Sequence, residues 1–224
     1  MGGALCGDIV CCNNVGILYL NGYGVKADSI EAEKWLTVAA EKENVNSVME
    51  LLKLYQAQQN ATALTKIIFL TRKWSNSLNK AQVAVNYLHN NLWADEAEKM
   101  LRECAENGVS FAAAYYAICL FNNGADNYNS AEQWAKKAVA GGYSGKEKFA
   151  LYITNYNAAI NEIASIETAI AQKKNELGNL GIFSGRRKKE LSEDIAQLLT
   201  RLSTENSKLD SYMNVLKSEA VYTY

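Results

Sequence analysis

Small and large apolar side chains recur along this chain at helical spacing, and the pattern returns about every 34 residues. Ala32, Ala63, Ala97 and Ala131 are separated by 31, 34 and 34 positions. Three residues beyond them stand Trp35, Lys66, Met100 and Trp134, and seven beyond stand Ala39, Leu70, Cys104 and Ala138. A small residue followed at these steps by a large one and another small one marks a helix packed closely on its neighbours. Repetition at this period predicts a stack of helical hairpins. The spacing predicts helices over 8–20, 29–42, 45–56, 60–75, 78–90, 93–107, 110–122 and 129–140, then a long one from about 144.

Local signals agree. Val15, Leu18 and Tyr19 share one helical face, and Gly16 sits where a second helix must come close. A mid-helix glycine costs ~1 kcal/mol against alanine, so packing should compensate. Asp28 or Ser29 caps the second helix, and Asn60-Ala61-Thr62 reads as another cap. Trp35 and Trp134 read as packing anchors, whereas Trp74 and Trp93 fall outside the pattern and are expected to be partly exposed.

From about Tyr156 the period changes. Ile163, Ile166, Ile170 and Leu177, then Leu191, Ile195, Leu198, Leu202, Leu209 and Leu216, form heptad seams. Gly178 to Gly185 separates them and is too rich in glycine to stay helical. Two heptad helices around a short loop make an antiparallel hairpin. Lys173, Glu205 and Tyr212 fall near core positions of that seam, so the hairpin either rests on the repeats or pairs with another chain. The expected organisation is therefore a helical-repeat array over 1–155 and a helical hairpin over 156–224, all-α throughout.

Composition narrows the function. A net charge of -1, from 23 basic and 24 acidic residues, offers no global attraction to nucleic acid or an anionic membrane. The chain has no proline, which suits continuous helices. Five cysteines, two of them adjacent, do not form a disulfide framework, and no leader-like segment opens the sequence. These features predict a cytoplasmic protein. No apolar run approaches the ~20 residues that cross a bilayer. The one histidine, His89, and scattered cysteines do not assemble a metal set, a cofactor site or a catalytic constellation, so no metal, cofactor or enzymatic activity is expected. Ala140 to Glu147 fails as a phosphate loop, since Glu147 stands where a hydroxyl is required.

The stretch from Gly7 to Ala40 resembles a Sel-one-like repeat, a relative of the tetratricopeptide repeat. The matching positions are Gly7, Asp8, Cys11, Val15, Gly16, Tyr19, Gly22, Gly24, Val25, Asp28, Ala32, Trp35, Ala39 and Ala40. The next helix continues with Ser47, Leu51 and Tyr55, although Glu43 and Leu52 replace expected glycines. Residues 57–78 keep only the spacing, and the pattern recovers at Ala97, Cys104, Gly108 and Ala131. The resemblance covers about 5–155 and implies an α-solenoid that binds a protein or peptide in its groove without catalysis. It places Asn13, Ile17, Asn46, Met49, Lys53, Phe111, Ala114, Ile118 and Phe121 on the groove face. The groove is either open to a partner or filled by the C-terminal arm. In a second reading the hairpin joins two copies as a homodimer, or touches a membrane surface through its tip. That tip comprises Ile182, Phe183, Arg186, Arg187, Lys188 and Lys189.

Overall fold

The computed structural model describes residues 8–181 and 184–222. Among the described residues are ten α-helices, one 3-10 turn and no strand. Contacts divide the chain into two compact units, one gathering residues up to Tyr116 together with Tyr222, the other residues 117–221.

The first unit contains α1 (Ile9–Asn21), α2 (Ser29–Glu41), α3 (Val45–Ala57), α4 (Ala61–Arg72), α5 (Ser77–His89) and α6 (Ala94–Glu106). Helix α1 packs on α2, α3 on α4 and α5 on α6, while α3 also touches α1, α2 and α5. The result is a stack of three helical hairpins, a short α-solenoid, in which α1, α3 and α5 form one layer. Close approach is built into the sequence: a Cβ at Gly16 would lie 2.6 Å from Leu36 Cγ and 3.3 Å from the Ala32 carbonyl oxygen. Ala32, Leu36, Ala39 and Ala40 are fully buried on α2.

Helices α1 to α5 start by one device. The side chains of Asp28, Asn44, Asn60 and Asn76, spaced 16 residues apart, each accept a hydrogen bond from a first-turn N–H of α2, α3, α4 and α5. Asp8 does the same for α1. One residue before Asn44 and Asn60 the backbone turns left-handed, at Glu43 (φ 64°) and Gln59 (φ 51°). Helix α4 stops at Arg72, earlier than its spacing predicts, and Trp74 folds inward to 5% exposure instead of facing solvent.

Polar links key successive hairpins together. Ser47 Oγ donates to Asn13 Oδ1 at 2.8 Å, between α3 and α1. The Glu43 carboxylate accepts from Ser75 N, Ser75 Oγ and Asn76 N at 2.7–2.9 Å. Within the third hairpin, the buried Lys80 ammonium reaches both carboxylate oxygens of Glu103 at 2.8 Å and ties α5 to α6.

Helix α7 (Ser110–Asn122) supplies its second half to the second unit, followed by the turn Ala125–Asn127, α8 (Tyr128–Ala140), α9 (Glu147–Asn179) and α10 (Gly185–Glu219). Helix α8 packs on α9, and α9 pairs with α10. The pair is antiparallel: Tyr152 meets Tyr212, Glu162 meets Arg201, Lys173 meets Asp194 and Glu176 meets Arg187. Ile166, Ile170, Leu191 and Ile195 are buried towards the loop, and Phe149, Ile153 and Leu216 are buried at the base. The awkward seam residues thus find polar or aromatic partners within the hairpin itself. At the base, the Lys146 ammonium donates to the carbonyls of Glu219 (3.4 Å) and Val221 (3.1 Å), and Lys148 pairs with Glu219 at 2.8 Å.

Candidate functional site

Helix α3 buries Val48, Leu51, Leu52 and Tyr55, which leaves Met49, Lys53 and Gln56 towards its outer side. Helix α5 buries Ala81, Ala84, Val85 and Leu88, which leaves Asn86 and Asn90 at its edge. Between the two helices opens a cleft of about 190 Å³, lined by Met49, Leu52, Lys53, Gln56, Asn86, Asn90 and Leu92. The left-handed turn at Asn91 and a bond from Leu92 N to the Tyr87 carbonyl (2.8 Å) fix Leu92 at its rim. Trp93 then closes edge-on against Tyr87, with ring centroids 5.0 Å apart.

The cleft mixes two chemistries. Met49, Leu52 and Leu92 give its lining an apolar, deformable part. Lys53 is exposed and pairs with Glu50 at 2.8 Å. Asn90 is exposed, and its Nδ2 donates to the Asn86 carbonyl at 2.8 Å, which leaves its amide oxygen as an acceptor. Pockets that bury a whole small-molecule ligand span roughly 300–1,000 Å³. A cleft of about 190 Å³ is sized for one side chain of a longer ligand. A broader apolar depression of about 690 Å³ lies between α8 and α9. Its two lysines, Lys136 and Lys148, are already paired with Glu132 and Glu219.

The residues expected on the groove face separate into groups. Met49 and Lys53 line the cleft, Asn46 is exposed near the start of α3, and Ile17 and Phe111 are half-buried. Asn13, Ile118 and Phe121 are corrections: all three are buried. Asn13 receives the Ser47 hydroxyl, Ile118 is core, and Phe121 stacks on Tyr128 and meets Phe149 edge-on. Ala114 is buried as well. Gln56, Asn86, Asn90 and Leu92 escaped the sequence reading. The signal that finds α5 is the 16-residue interval from Asn60 to Asn76, which registers α5 where the alanine pattern has faded.

At the hairpin tip, Arg186 pairs with Glu190 at 3.2 Å, and Arg187 with Glu176 at 2.7 Å and Glu190 at 3.6 Å. Lys189 reaches Glu193 at 3.9 Å. Lys188 is half-buried, with its N–H bonded to the Ser184 carbonyl. The basic run is therefore largely balanced by acids of its own hairpin, which reduces its pull on an anionic surface. Ile182 and Phe183 lie outside the described residues.

Reactive chemistry finds little purchase. Burial pushes the Cys104 thiol up to about 11, and a hydrogen bond to Asp8 raises that of Cys11. Both shifts disfavour the nucleophilic thiolate. Among the described residues no group of three or more His, Cys, Asp or Glu is placed to hold a metal ion, and no helix is long and apolar enough to cross a membrane.

Fold and cleft together define an all-helical repeat protein whose accessible features are surfaces between helices. No protein family's sequence profile matches the chain. Two solved structures are similar to it. One is a Sel1 repeat protein from Oxalobacter formigenes, 21% identical, with a TM-score of 0.40 over 84% of this chain and 72% of that one. The other is c5321, a protective antigen present in uropathogenic Escherichia coli strains that displays an SLR fold. It is 18% identical, with a TM-score of 0.42 over 97% of this chain and 56% of that one, so this chain spans little more than half its length.

Proposed function

We propose that the protein is a non-catalytic binding scaffold that takes an extended segment of a partner protein across the α3–α5 cleft. One observation carries this reading: a cleft sized for a single side chain combines the apolar Met49, Leu52 and Leu92 with the exposed Asn90 amide and Lys53 ammonium. An extended peptide offers that combination, with one side chain for the cleft and backbone N–H and C=O groups for the rim. The cleft sits on helices that are capped and keyed to their neighbours, so ordering the receptor on binding would cost little. In this reading residues 1–155 form the binding array and 156–224 a helical hairpin, with α9 running without interruption through the boundary.

Selection of a random peptide library against the intact chain, followed by calorimetry, tests the proposal. Selected peptides should bind about tenfold more weakly to Lys53→Ala and to Asn90→Ala, since each change removes a rim hydrogen bond. Equal affinity for both variants and the unaltered chain would remove the cleft from consideration.

A further inference from the structure

We propose a second docking surface, independent of the cleft: the outer face of α4, fitted to an acidic segment of another protein that seats an apolar side chain on Phe69. From Leu51 to Ala94 the chain contains no aspartate or glutamate, although it carries 24 in all. Helix α4 and the Lys73 that ends it therefore hold three bases and no acid. At 3.6 residues per turn, Thr62, Thr65, Lys66, Phe69, Arg72 and Lys73 share an arc of about 120°, and all six are exposed. Phe69, at 55% exposure, stands between Lys66 and Lys73.

The sister helices show what this face lacks. Lys34, Lys66 and Lys99 are each the sixth residue of their helices, α2, α4 and α6, and each is exposed. In α2 the third residue, Glu31, pairs with Lys34 at 2.5 Å, and in α6 the third residue, Glu96, pairs with Lys99 at 3.0 Å. The third residue of α4 is Ala63, and neither Lys66 nor Lys73 has an ion pair among the described residues. Arg72 does, with Glu96 at 3.4 Å. The two unpaired ammonium groups are seven residues apart, about 10 Å along the helix axis. A segment with two carboxylates at that spacing and an apolar side chain between them would neutralise both lysines and cover Phe69. The neighbouring hairpins narrow the choice of ligand. Helix α2 carries three glutamates against one lysine, and α6 five acids against two bases. A membrane or a nucleic acid presents negative charge broadly and would meet those acids as well as α4. A single polypeptide segment laid along α4 would not.

A random peptide library displayed on phage is the probe, selected in parallel against the full chain and against the full chain carrying Lys66→Gln, Phe69→Ala and Lys73→Gln. All three side chains are exposed, so the variant should fold, and circular dichroism checks that it does. Peptides held by the α3–α5 cleft are recovered with both chains, which keeps the two surfaces distinguishable. Peptides recovered with the unaltered chain alone should be rich in aspartate and glutamate around an apolar residue. Fluorescence anisotropy of one such peptide should show saturable binding that weakens as salt is added. Phe69→Ala should weaken it about tenfold, as loss of a buried aromatic side chain does. Lys66→Gln and Lys73→Gln should each weaken it about threefold, as loss of an exposed ion pair does. Recovery of the same peptides with both chains, or of dependent peptides without acidic enrichment, overturns the proposal. So does binding of phosphatidylserine vesicles or single-stranded DNA that Phe69→Ala abolishes, or a dimer in light scattering that it disperses, because the face would then serve a different ligand.

Discussion

Glu43 occupies a left-handed backbone position, φ 64°, at a place where the repeat pattern expects glycine. A side chain there costs roughly 1 kcal/mol or more in strain, and its carboxylate offsets this by capping the entry to α5 through Ser75 and Asn76. Burial pushes the carboxyl pKa up, but those hydrogen bonds and the Lys80 charge outweigh it, so the group titrates below its ordinary value. The stabilisation is therefore complete above the unfolded carboxylate pKa of about 4.3, and it is lost as pH falls through the lower folded value. Glu43→Gln should cost ~1 kcal/mol at neutral pH, and the gap from the unaltered protein should narrow on acidification. Urea unfolding at neutral and at acid pH measures both. Gly16 poses the opposite case. Alanine there gains ~1 kcal/mol of helix propensity but places a methyl 2.6 Å from Leu36 Cγ. Overpacking of this kind costs ~1–3 kcal/mol, so Gly16→Ala should lower the thermal midpoint.

At the level of elements, legibility followed the physical signal. Alanine periodicity and Asp28 located α2 because burial and capping act through nearby residues. Between 57 and 78 the alanines fade, yet Asn60 and Asn76 keep the 16-residue step, so the helices survive on caps and on left-handed residues such as Gln59. The groove face was harder to read, because Asn13 and Phe121 owe their burial to partners 34 and 28 residues away. A helical period cannot tell a polar residue in water from one bonded inside the stack. The inward fold of Trp74 was equally hidden, since its indole N–H lacks a partner and only packing recommends its place. In the hairpin the heptads were plain, but the base latch was not. Lys146 is only 8% exposed, and its donors serve carbonyls at the end of α10. Lys146→Met should leave those carbonyls without their donor and cost ~1–3 kcal/mol. Hydrogen exchange should then show faster opening around Glu219.

At the scale of the whole molecule, the two polar clusters argued above lie in different units. Glu43 and its partners belong to the first unit, Lys146 and its partners to the second. Without shared partners, effects on stability add to within ~0.5 kcal/mol. The double variant Glu43→Gln with Lys146→Met should therefore unfold with the sum of the two single losses. A clear excess in a double-mutant cycle would reveal a coupling that these bonds do not provide. The arm has a mechanical side. At 1.5 Å per residue, a 33-residue α9 is a rod about 50 Å long. Two plies that slide bend easily, whereas plies bolted against shear bend as one thicker beam. Arg201–Glu162, Lys173–Asp194 and Arg187–Glu176 are three such bolts along the span. Because they are ionic and near the surface, dissolved salt loosens them, and the rigidity of this beam becomes a property that its ionic surroundings can tune.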